Sequence, residues 1–411
     1  MPAASLWGRG DNQKIMKEFN AIVREYGKVD FNTCKAALAT VVKVRGSSYR
    51  SPGARMLIMD DGRWVGSISG GCLEGDALRK ARKVILEKKA KTVTYDTREE
   101  SNQNLGIGLG CNGVIDVLIE PIDHKASVNP VHIFEKFTGT KEPVALATLF
   151  SSDSPAAATG EKLLIDREGI IHQSVIDAAL CETIHHDLRQ LFEAPGSETR
   201  QYRIQNFTVE VYLELIQPNT SLIIFGGGFD ARPVSQLAKS LGWEVTVTDE
   251  CVAHIAPVFF PDADKLSLCN RTFIERDFSV TPYTACVLMS HNYEYDRDVL
   301  KTLLKTHTPY IGILGPRKRF EKMCAEYAAQ GIELSSDDVH RIHSPIGLDI
   351  GAEAPDEIAV SIIAEIQGKF AGRSGGYLKY REGPIHQRAA GGDQVFKQVH
   401  LNNPGRRRSV K

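Results

Sequence analysis

Residues 66–74 read G-S-I-S-G-G-C-L-E, and this stretch decides how the first part of the chain is interpreted. Apolar residues at strand spacing precede it and apolar residues at helix spacing follow it. The pattern predicts a strand that ends in Gly70 and Gly71 and a helix that opens at Cys72. Paired glycines allow close backbone approach, and the first amides of a helix attract anions. We therefore predict a phosphate-sized cradle with thiolate character at Cys72, the alternative being a tight turn with an inert thiol.

A second glycine-rich run lies downstream at Leu105–Gly113, directly before a predicted strand. It contains Gly110, Cys111 and Gly113, and a run so rich in glycine cannot build a core of its own. We predict that both glycine–cysteine loops line one pocket. A pair of unrelated turns whose cysteines fill space is the alternative.

The chain repeats itself over its first half. The matching segments are Ala37–Thr40 with Ala145–Thr148, Pro52–Gly62 with Thr159–Gly169, and Val117–Glu120 with Val211–Glu214. We predict two copies of one α+β unit, at about residues 30–122 and 140–217.

The second copy lacks both glycine loops. Val175–Ala179 stands where Ile68–Cys72 would be, and Arg203–Phe207 replaces the second loop. Because a duplicated scaffold retains the loops in one copy only, we expect them to serve a ligand rather than the fold. Convergent patterning is the alternative.

The composition is that of an ordinary globular protein, with 411 residues, of which 42% are hydrophobic and 25% charged. A formal net charge of -1 argues against a nucleic-acid partner. The eight cysteines form no C-x-x-C pair, which argues against a structural metal site or a disulfide scaffold, so we expect a reducing cytoplasm. We see neither a membrane-spanning apolar run nor a signal-peptide layout, and we expect no membrane association.

From Asn219 the pattern changes to a Rossmann-like β-α-β unit. An apolar strand runs into a G-x-G-x-x-A turn with Gly226, Gly228 and Ala231, and the next strand ends at Asp249, the position of a ribose-binding acid. This predicts a nucleotide site, although the carboxylate of Asp230 inside the turn argues against a bound pyrophosphate.

The segment S-H-N-Y-E-Y-D follows a later strand of this region, at the edge where α/β sheets bind ligands. His291 and Asp296 in it are further candidates, His291 as an acid, base or ligand. A structural role for His291 at the strand end is an equal alternative.

Several motifs, occurring in order up to about residue 370, resemble the XdhC/CoxI family of xanthine dehydrogenase accessory factors. They are S-I-S-G-G-C-L-E, L-G-C-N-G before V-I-D-V-L-I-E-P, the glycine turn with its acid, S-H-N-Y-E-Y-D, and P-I-G-L-D-I-G-A-E-A-P-D-E-I-A. Asn112, in place of a usual glycine, and Gly315-Pro316, in place of Gly-Ser, depart from the family pattern.

The resemblance implies an α/β protein with an N-terminal XdhC/CoxI domain, the duplicated α+β unit, followed by a Rossmann-like doubly wound parallel sheet. We place the first domain at residues 1–217 and the second at 218–370, and expect residues 371–411 to be an extended or disordered tail.

The resemblance also implies a function. Members bind the molybdenum cofactor (molybdopterin), protect it during sulfuration and deliver it to a molybdenum hydroxylase such as xanthine dehydrogenase. The candidate cofactor-binding residues are Gly70, Gly71, Cys72, Glu74, Gly110, Cys111 and Gly113, with Arg50 or Arg55 near the phosphate. The thiolates of Cys72 and Cys111 are soft donors that suit molybdenum.

On this interpretation the protein is a cofactor chaperone without turnover of its own, with a cysteine desulfurase as a further partner, and we expect a homo-oligomer. One alternative is an NAD(P)-dependent oxidoreductase that uses Gly226, Gly228 and Asp249, with His291 as acid or base. Another is a scaffold that only recruits a desulfurase to its client enzyme.

Overall fold

The computed structural model describes residues 12–97, 113–204, 206–271, 274–382 and 397–401. The chain divides between Gln217 and Pro218 into two compact units, the first of which also takes up the last described segment. Antiparallel sheets build the first unit and one parallel sheet builds the second.

The first unit opens with helix α1 at Asn12–Tyr26, which buries Phe19 and Ile22. The first sheet follows, with strands β1 Ala36–Gly46, β2 Arg55–Met59, β3 Trp64–Gly66, β4 Lys91–Asp96 and β5 Gly113–Ile122. Its order is β3-β2-β1-β5-β4, and all neighbours are antiparallel. Helix α2, Glu74–Glu87, connects β3 to β4 and covers one face of the sheet with Ala77, Ala81 and Val84.

Helix α3, Pro130–Glu135, leads into a second sheet. Its elements are β6 Val144–Ser152, β7 Lys162–Ile165, β8 Ile170–Gln173, helix α4 Ala178–Leu191, β9 Ser197–Ile204 and β10 Phe207–Ile216. The strand order β8-β7-β6-β10-β9 repeats that of the first sheet strand for strand, and α4 takes the place of α2.

The inner faces of the two sheets share one core. Leu38 and Leu57 of the first sheet lie in the same apolar cluster as Leu146 and Leu164 of the second, together with residues of α1 and α3. The alternation of side chains along each strand sends the other set of apolar residues outward, under α2 and α4.

The second unit is a doubly wound parallel sheet. Its strands are β11 Ser221–Phe225, β12 Glu244–Asp249, β13 Lys265–Leu268, β14 Thr284–Leu288, β15 Tyr310–Ile313 and β16 Ile342–His343. Its helices are α5 Ala231–Ser240, α6 Ile274–Asp277, α7 Tyr293–Leu303, α8 Arg317–Ala329, α9 Ser336–Arg341 and α10 Pro355–Phe370. The order β13-β12-β11-β14-β15-β16 reverses between β11 and β14, where Rossmann folds bind ligands.

The last described segment forms strand β17, Lys397–Leu401, which pairs in parallel with β9 of the first unit. It lies within the range expected to be an extended or disordered tail, and a short 3-10 helix at Leu378–Tyr380 lies there too. The predicted fold class, an N-terminal α+β part followed by a Rossmann-like parallel sheet, is confirmed.

Candidate functional site

Three connections of the first unit lie at the same end of the strands of the first sheet. This edge of the sheet runs across the strand ends and not along an outer strand. Strand β1 runs towards this edge, and β2 and β5 start from it because both are antiparallel to β1. Strands β3 and β4 end there because they are antiparallel to β2 and β5. The edge therefore carries the β1–β2 loop at 47–54, the β3–α2 loop at 67–73 and the base of the β4–β5 connection. We call it the loop edge.

Gly113 closes the base of the β4–β5 connection. Its amide donates to Thr97 Oγ1 at 3.1 Å, and its carbonyl oxygen accepts from that hydroxyl at 2.7 Å and from the Thr97 amide at 2.9 Å. A β-carbon at Gly113 would overlap the carbonyl oxygen of Ser47, so only glycine fits. The predicted site residues Gly110 and Cys111 lie outside the described part of the chain.

Glu74 holds the β3–α2 loop in shape. Four backbone amides donate to its carboxylate at 2.9–3.1 Å, those of Ile68, Ser69, Gly71 and Leu73. The hydroxyls of Ser67 and Ser69 donate to it at 2.7 and 2.5 Å. Burial is the largest single effect and disfavours the charged form, but the hydrogen bonds from the serine hydroxyls and the backbone amides together outweigh it and lower the pKa of Glu74 from 4.5 to about 2.

This geometry revises two predictions for the loop. Helix α2 begins at Glu74, with Leu73 as its N-cap, rather than at Cys72. The amides predicted to cradle a phosphate donate to the carboxylate of Glu74, so an anion of the chain itself fills that cradle. Gly70 and Gly71 adopt φ values of +83° and +125°, as the predicted turn requires. Cys72 is half-buried beside them.

Glu18 of α1 ties the loop edge to the rest of the unit. Its carboxylate pairs with the Arg50 guanidinium and accepts from the backbone amides of Arg55 at 3.3 Å and Ser67 at 3.2 Å. Burial raises the pKa of Glu18, although Arg50 opposes that rise. Arg50 keeps 27% of its side chain exposed at this edge. Glu18 was missed in the sequence, although a carboxylate four residues before buried Ile22, on the apolar face of α1, was an available signal.

Arg55 has a different role from Arg50. Its side chain is 2% exposed and pairs with Glu214 of β10. Its guanidinium also donates to the Gly53 carbonyl oxygen at 2.6 Å and lies 4.7 Å from the ring centre of Phe19. Since every one of these contacts is internal, we assign Arg55 to the scaffold and leave it out of the proposed binding site.

A second buried pair mirrors the first. Lys162 of β7 pairs with Glu120 of β5, and both side chains are 5% exposed. Arg55 and Lys162 occupy matching positions of the two repeats, as do Glu120 and Glu214. Each sheet therefore supplies one cation and one anion to the interface between the sheets.

The matching edge of the second sheet has the same frame, and two of its three connections are shorter than those of the first sheet. The amide of Ser174 donates to the Lys162 carbonyl oxygen at 2.9 Å, as Ser67 does to Arg55 at 3.0 Å. Helix α4 then starts at once, with an ordinary N-cap in which the Asp177 side chain accepts from the Leu180 amide at 2.8 Å. Strand β9 ends at Ile204 and β10 begins at Phe207, so few residues separate them. The longer β3–α2 and β4–β5 connections of the first sheet are therefore not needed to build this frame.

In the second unit, Asp249 braces the glycine turn. Its Oδ2 accepts from the Gly227 amide at 2.8 Å and lies 3.1 Å from His254 Nδ1, while its Oδ1 accepts from the Cys251 amide at 2.8 Å. Asp249 is 7% exposed. The carboxylate predicted to bind a ribose therefore makes its hydrogen bonds within the chain. Gly226 has a φ of +121°, and its position leaves no room for a β-carbon against Ser290.

His291 stands over the same turn. Its ring lies 3.5 Å from the position that a β-carbon on Gly228 would take, and its Nε2 is 3.2 Å from the carboxylate of Asp230. His291 has a φ of +59°, a strained conformation for a residue other than glycine, and 62% of its side chain is exposed. Ala231 is buried at the start of α5. The structure thus brings His291 and Asp230 together at the crevice between β11 and β14.

Asp296 lies beneath this crevice and is 1% exposed. Its carboxylate accepts from Ser290 Oγ at 2.6 Å and from Arg319 at 2.7 Å. Burial raises the pKa of Asp296, and the hydrogen bonds from Ser290 and Arg319 oppose the rise. Asp296 fixes neighbouring elements and has almost no surface to offer a ligand.

Within the residues that the structure describes, no three His, Cys, Asp or Glu side chains cluster so as to hold a metal ion. In the same residues, no helix combines the length and the apolar character needed to cross a bilayer.

Family models match both units of the chain. Residues 32–96 match the model described as the XdhC and CoxI family, and residues 222–366 match the XdhC Rossmann domain. Neither match depends on the segment between 97 and 113 that the structure leaves undescribed.

Curated relatives and a solved structure cover most of the chain. A Bacillus subtilis (strain 168) protein, named as a probable subunit of xanthine dehydrogenase, is 30% identical over 332 residues, which are 81% of this chain and 92% of the relative. The molybdenum cofactor insertion chaperone PaoD of Escherichia coli (strain K12) is 21% identical over 360 residues, 88% of this chain and 91% of the relative.

A crystal structure described as a xanthine dehydrogenase from Bacillus halodurans has a TM-score of 0.66 and 28% identity to this chain, and the match covers 88% of this chain and 98% of the other. The two family models, the structural match and the long alignment to the Bacillus subtilis relative agree. The chain belongs to the XdhC and CoxI family.

Proposed function

We propose that this protein is an accessory factor of a xanthine dehydrogenase-type molybdenum hydroxylase, which holds the molybdenum cofactor at the loop edge and hands it to that enzyme. The observation that carries the proposal is the contrast between two matching sheet edges. One has extended loops with paired glycines and a thiol, and the other closes with a simple helix cap. The name of the Bacillus subtilis relative supports a xanthine dehydrogenase as the client enzyme, and that of the Escherichia coli relative supports the molybdenum cofactor as the cargo.

The groups at the loop edge suit parts of this cargo. Cys72 offers a half-buried thiol, a soft ligand appropriate to a molybdenum centre with sulfur ligands. We assign recognition of the terminal phosphate to Arg50, whose guanidinium is partly exposed at this edge. The loop amides do not serve the phosphate, because Glu74 already accepts from them.

The proposal has three further parts. The protein shields the cofactor while a cysteine desulfurase supplies its sulfur, it acts as a homo-oligomer, and it works in the cytoplasm. All seven described cysteines are free thiols, which is the state that a reducing compartment maintains. Light scattering of the purified protein, with and without a desulfurase, tests the assembly states directly.

Cofactor retention tests the central claim. The full chain would be expressed together with cofactor synthesis and purified, and its pterin and molybdenum contents would be measured per polypeptide. We expect Cys72→Ala to lose most of the molybdenum. Cys251→Ala, which removes an exposed thiol from the second unit, is the matched control and should retain it. Stoichiometric molybdenum in both Cys72→Ala and Cys111→Ala would exclude a thiolate role.

The second candidate function is that of an NAD(P)-dependent oxidoreductase. The observation in its favour is that the glycine turn and the His291–Asp230 pair meet at the crevice where the strand order reverses. The internal hydrogen bonds of Asp249 weigh against it. Calorimetric titration with NAD and NADP decides the matter, since absence of both heat and protection from thermal unfolding would exclude this function.

A further inference from the structure

Tyr49 is an exposed aromatic residue placed directly on the glycine turn. It lies in the β1–β2 loop, and 69% of its surface is accessible. A β-carbon on Gly70 would lie 2.6 Å from two of its ring carbons, so the ring packs on bare backbone with no side chain between. The absence of a side chain at Gly70 is what allows Tyr49 to lie there.

The backbone on both sides of Tyr49 is held in place. Ser48 Oγ donates to the Arg50 carbonyl oxygen at 2.6 Å, and the Arg50 side chain pairs with Glu18. A large ring is thus presented to solvent from a braced turn. Placing an aromatic surface in this way loses little conformational freedom when a ligand binds.

The fold itself does not require this aromatic residue. The matching connection of the second sheet, residues 153–161, reads D-S-P-A-A-A-T-G-E and contains no aromatic side chain. Its frame is nevertheless the same, since Gly53 donates to Val41 and Gly160 to Leu149, each at 2.8 Å. Tyr49 therefore belongs with the glycine–cysteine loop as a feature that only the first copy carries.

We infer that Tyr49 is the surface on which the planar pterin ring of the cofactor stacks. The inference rests on the proposed function and deepens it, because it assigns the recognition of the pterin to a residue separate from the metal-binding thiol. Stacking of a heteroaromatic ring on an aromatic side chain contributes about 1–3 kcal/mol. Tyr49 and Cys72 lie on the same edge, so one ligand with a flat ring and a soft metal would engage both.

Substitution of Tyr49 separates stacking from mere bulk. Tyr49→Leu keeps an apolar side chain and removes the π face, whereas Tyr49→Phe keeps the face and removes the hydroxyl. Tyr380→Leu alters an equally exposed ring of the second unit, 74% accessible, and is the control. The probe is metal-free molybdopterin, with bound pterin measured by ultrafiltration and fluorescence. We expect Tyr49→Leu to raise Kd about 5- to 150-fold, and the other two variants to stay within about 2-fold.

Two glycine variants give a second measurement. Gly70→Ala and Gly71→Ala both place a side chain at positive φ, but only the β-carbon at Gly70 would displace Tyr49, because nothing lies within 4 Å of one at Gly71. We expect Gly70→Ala to weaken molybdopterin binding more than Gly71→Ala does, at similar unfolding temperatures.

The outcomes distinguish this inference from the proposed function. If the wild-type protein binds molybdopterin and Tyr49→Leu binds it equally well, the stacking role is overturned and the proposed function stands. If the wild-type protein binds neither molybdopterin nor the complete molybdenum cofactor, the proposed function fails and the inference fails with it.

Discussion

Glu74 supplies the anion that the β3–α2 loop is built to hold, and the residue is 4% exposed. A glutamine at this position would aim an amide N–H₂ group at backbone donors and would leave some of them buried without an acceptor. We expect Glu74→Gln to lower the free energy of unfolding by about 2–4 kcal/mol, because each unsatisfied buried group costs about 1–3 kcal/mol. Urea denaturation at pH 7 measures the change.

Glu87→Gln is the control for that substitution. Glu87 lies at the other end of the same helix, with 47% of its side chain exposed and a loose pair to Lys83 at 3.6 Å. We expect its substitution to change the free energy of unfolding by less than about 0.5 kcal/mol. Equal effects of the two variants would contradict the role assigned to Glu74.

The pH dependence of stability follows from the same carboxylate. Its pKa falls from 4.5 to about 2 on folding, so its contribution is fully present above pH 4.5 and is lost as the pH falls towards 2. Protonated Glu74 resembles glutamine. We therefore expect the difference in unfolding free energy between the wild type and Glu74→Gln to shrink as the pH is lowered from 5 to 3. A difference that stays constant over this range in urea titrations would refute the assignment.

At the residue scale, the sequence predicted the backbone turn but did not predict which group would accept hydrogen bonds from the loop amides. Gly70 and Gly71 were predicted to form a tight turn, and their positive φ values agree with it. Nothing in the sequence showed that the Glu74 carboxylate would accept hydrogen bonds from its own loop, because that contact depends on the direction of the first turn of the helix. For the same reason Arg50 and Arg55 looked alike in the sequence, although one is partly exposed and the other is buried.

At the scale of secondary-structure elements, two reciprocal ion pairs join the sheets. Removing one partner of a buried pair leaves an uncompensated charge, which costs about 3–5 kcal/mol, whereas replacing both partners by apolar residues is often neutral. We expect Arg55→Met to lower the free energy of unfolding by about 3–5 kcal/mol, and Arg55→Met with Glu214→Leu to recover at least about 2 kcal/mol of that loss. Chemical denaturation of the full chain measures both.

The double variant also tests the place of Arg55 outside the binding site. Because its guanidinium contacts only internal groups, we expect the folded double variant to copurify with as much pterin and molybdenum as the wild type. Loss of the cofactor from a double variant with wild-type stability would show that Arg55 contributes to cofactor binding.

Much of the element-level fold was predictable. The repeated strings, such as Val117–Glu120 and Val211–Glu214, correspond to matching strands of two sheets with one strand order. The strand register was not predictable, and it is the register that brings Gly46 opposite Gly113 and so gathers three connections at one edge. The pairing of β17 with β9 joins segments far apart in the chain, and no local pattern indicates it.

At the scale of the whole molecule, the chain carries two candidate sites in separate compact units. The loop edge of the first sheet has glycines, a thiol and an aromatic ring. The crevice of the parallel sheet has a braced glycine turn and the His291–Asp230 pair. The chaperone proposal requires the first, and the oxidoreductase alternative requires the second, so a measurement that reads both units in one sample decides between them.

Hydrogen exchange of the full chain provides that measurement, because a bound ligand slows exchange where it orders the backbone. We expect loading with the molybdenum cofactor to protect residues 47–54 and 67–73 and to leave 226–230 and 290–292 unchanged. The first two segments form the loop edge, and the last two line the crevice of the second unit. Protection confined to the crevice would show that the cofactor binds to the Rossmann unit and not to the loop edge. Protection of 226–230 on addition of NAD or NADP to cofactor-free protein would instead show that the second unit binds a nucleotide of its own.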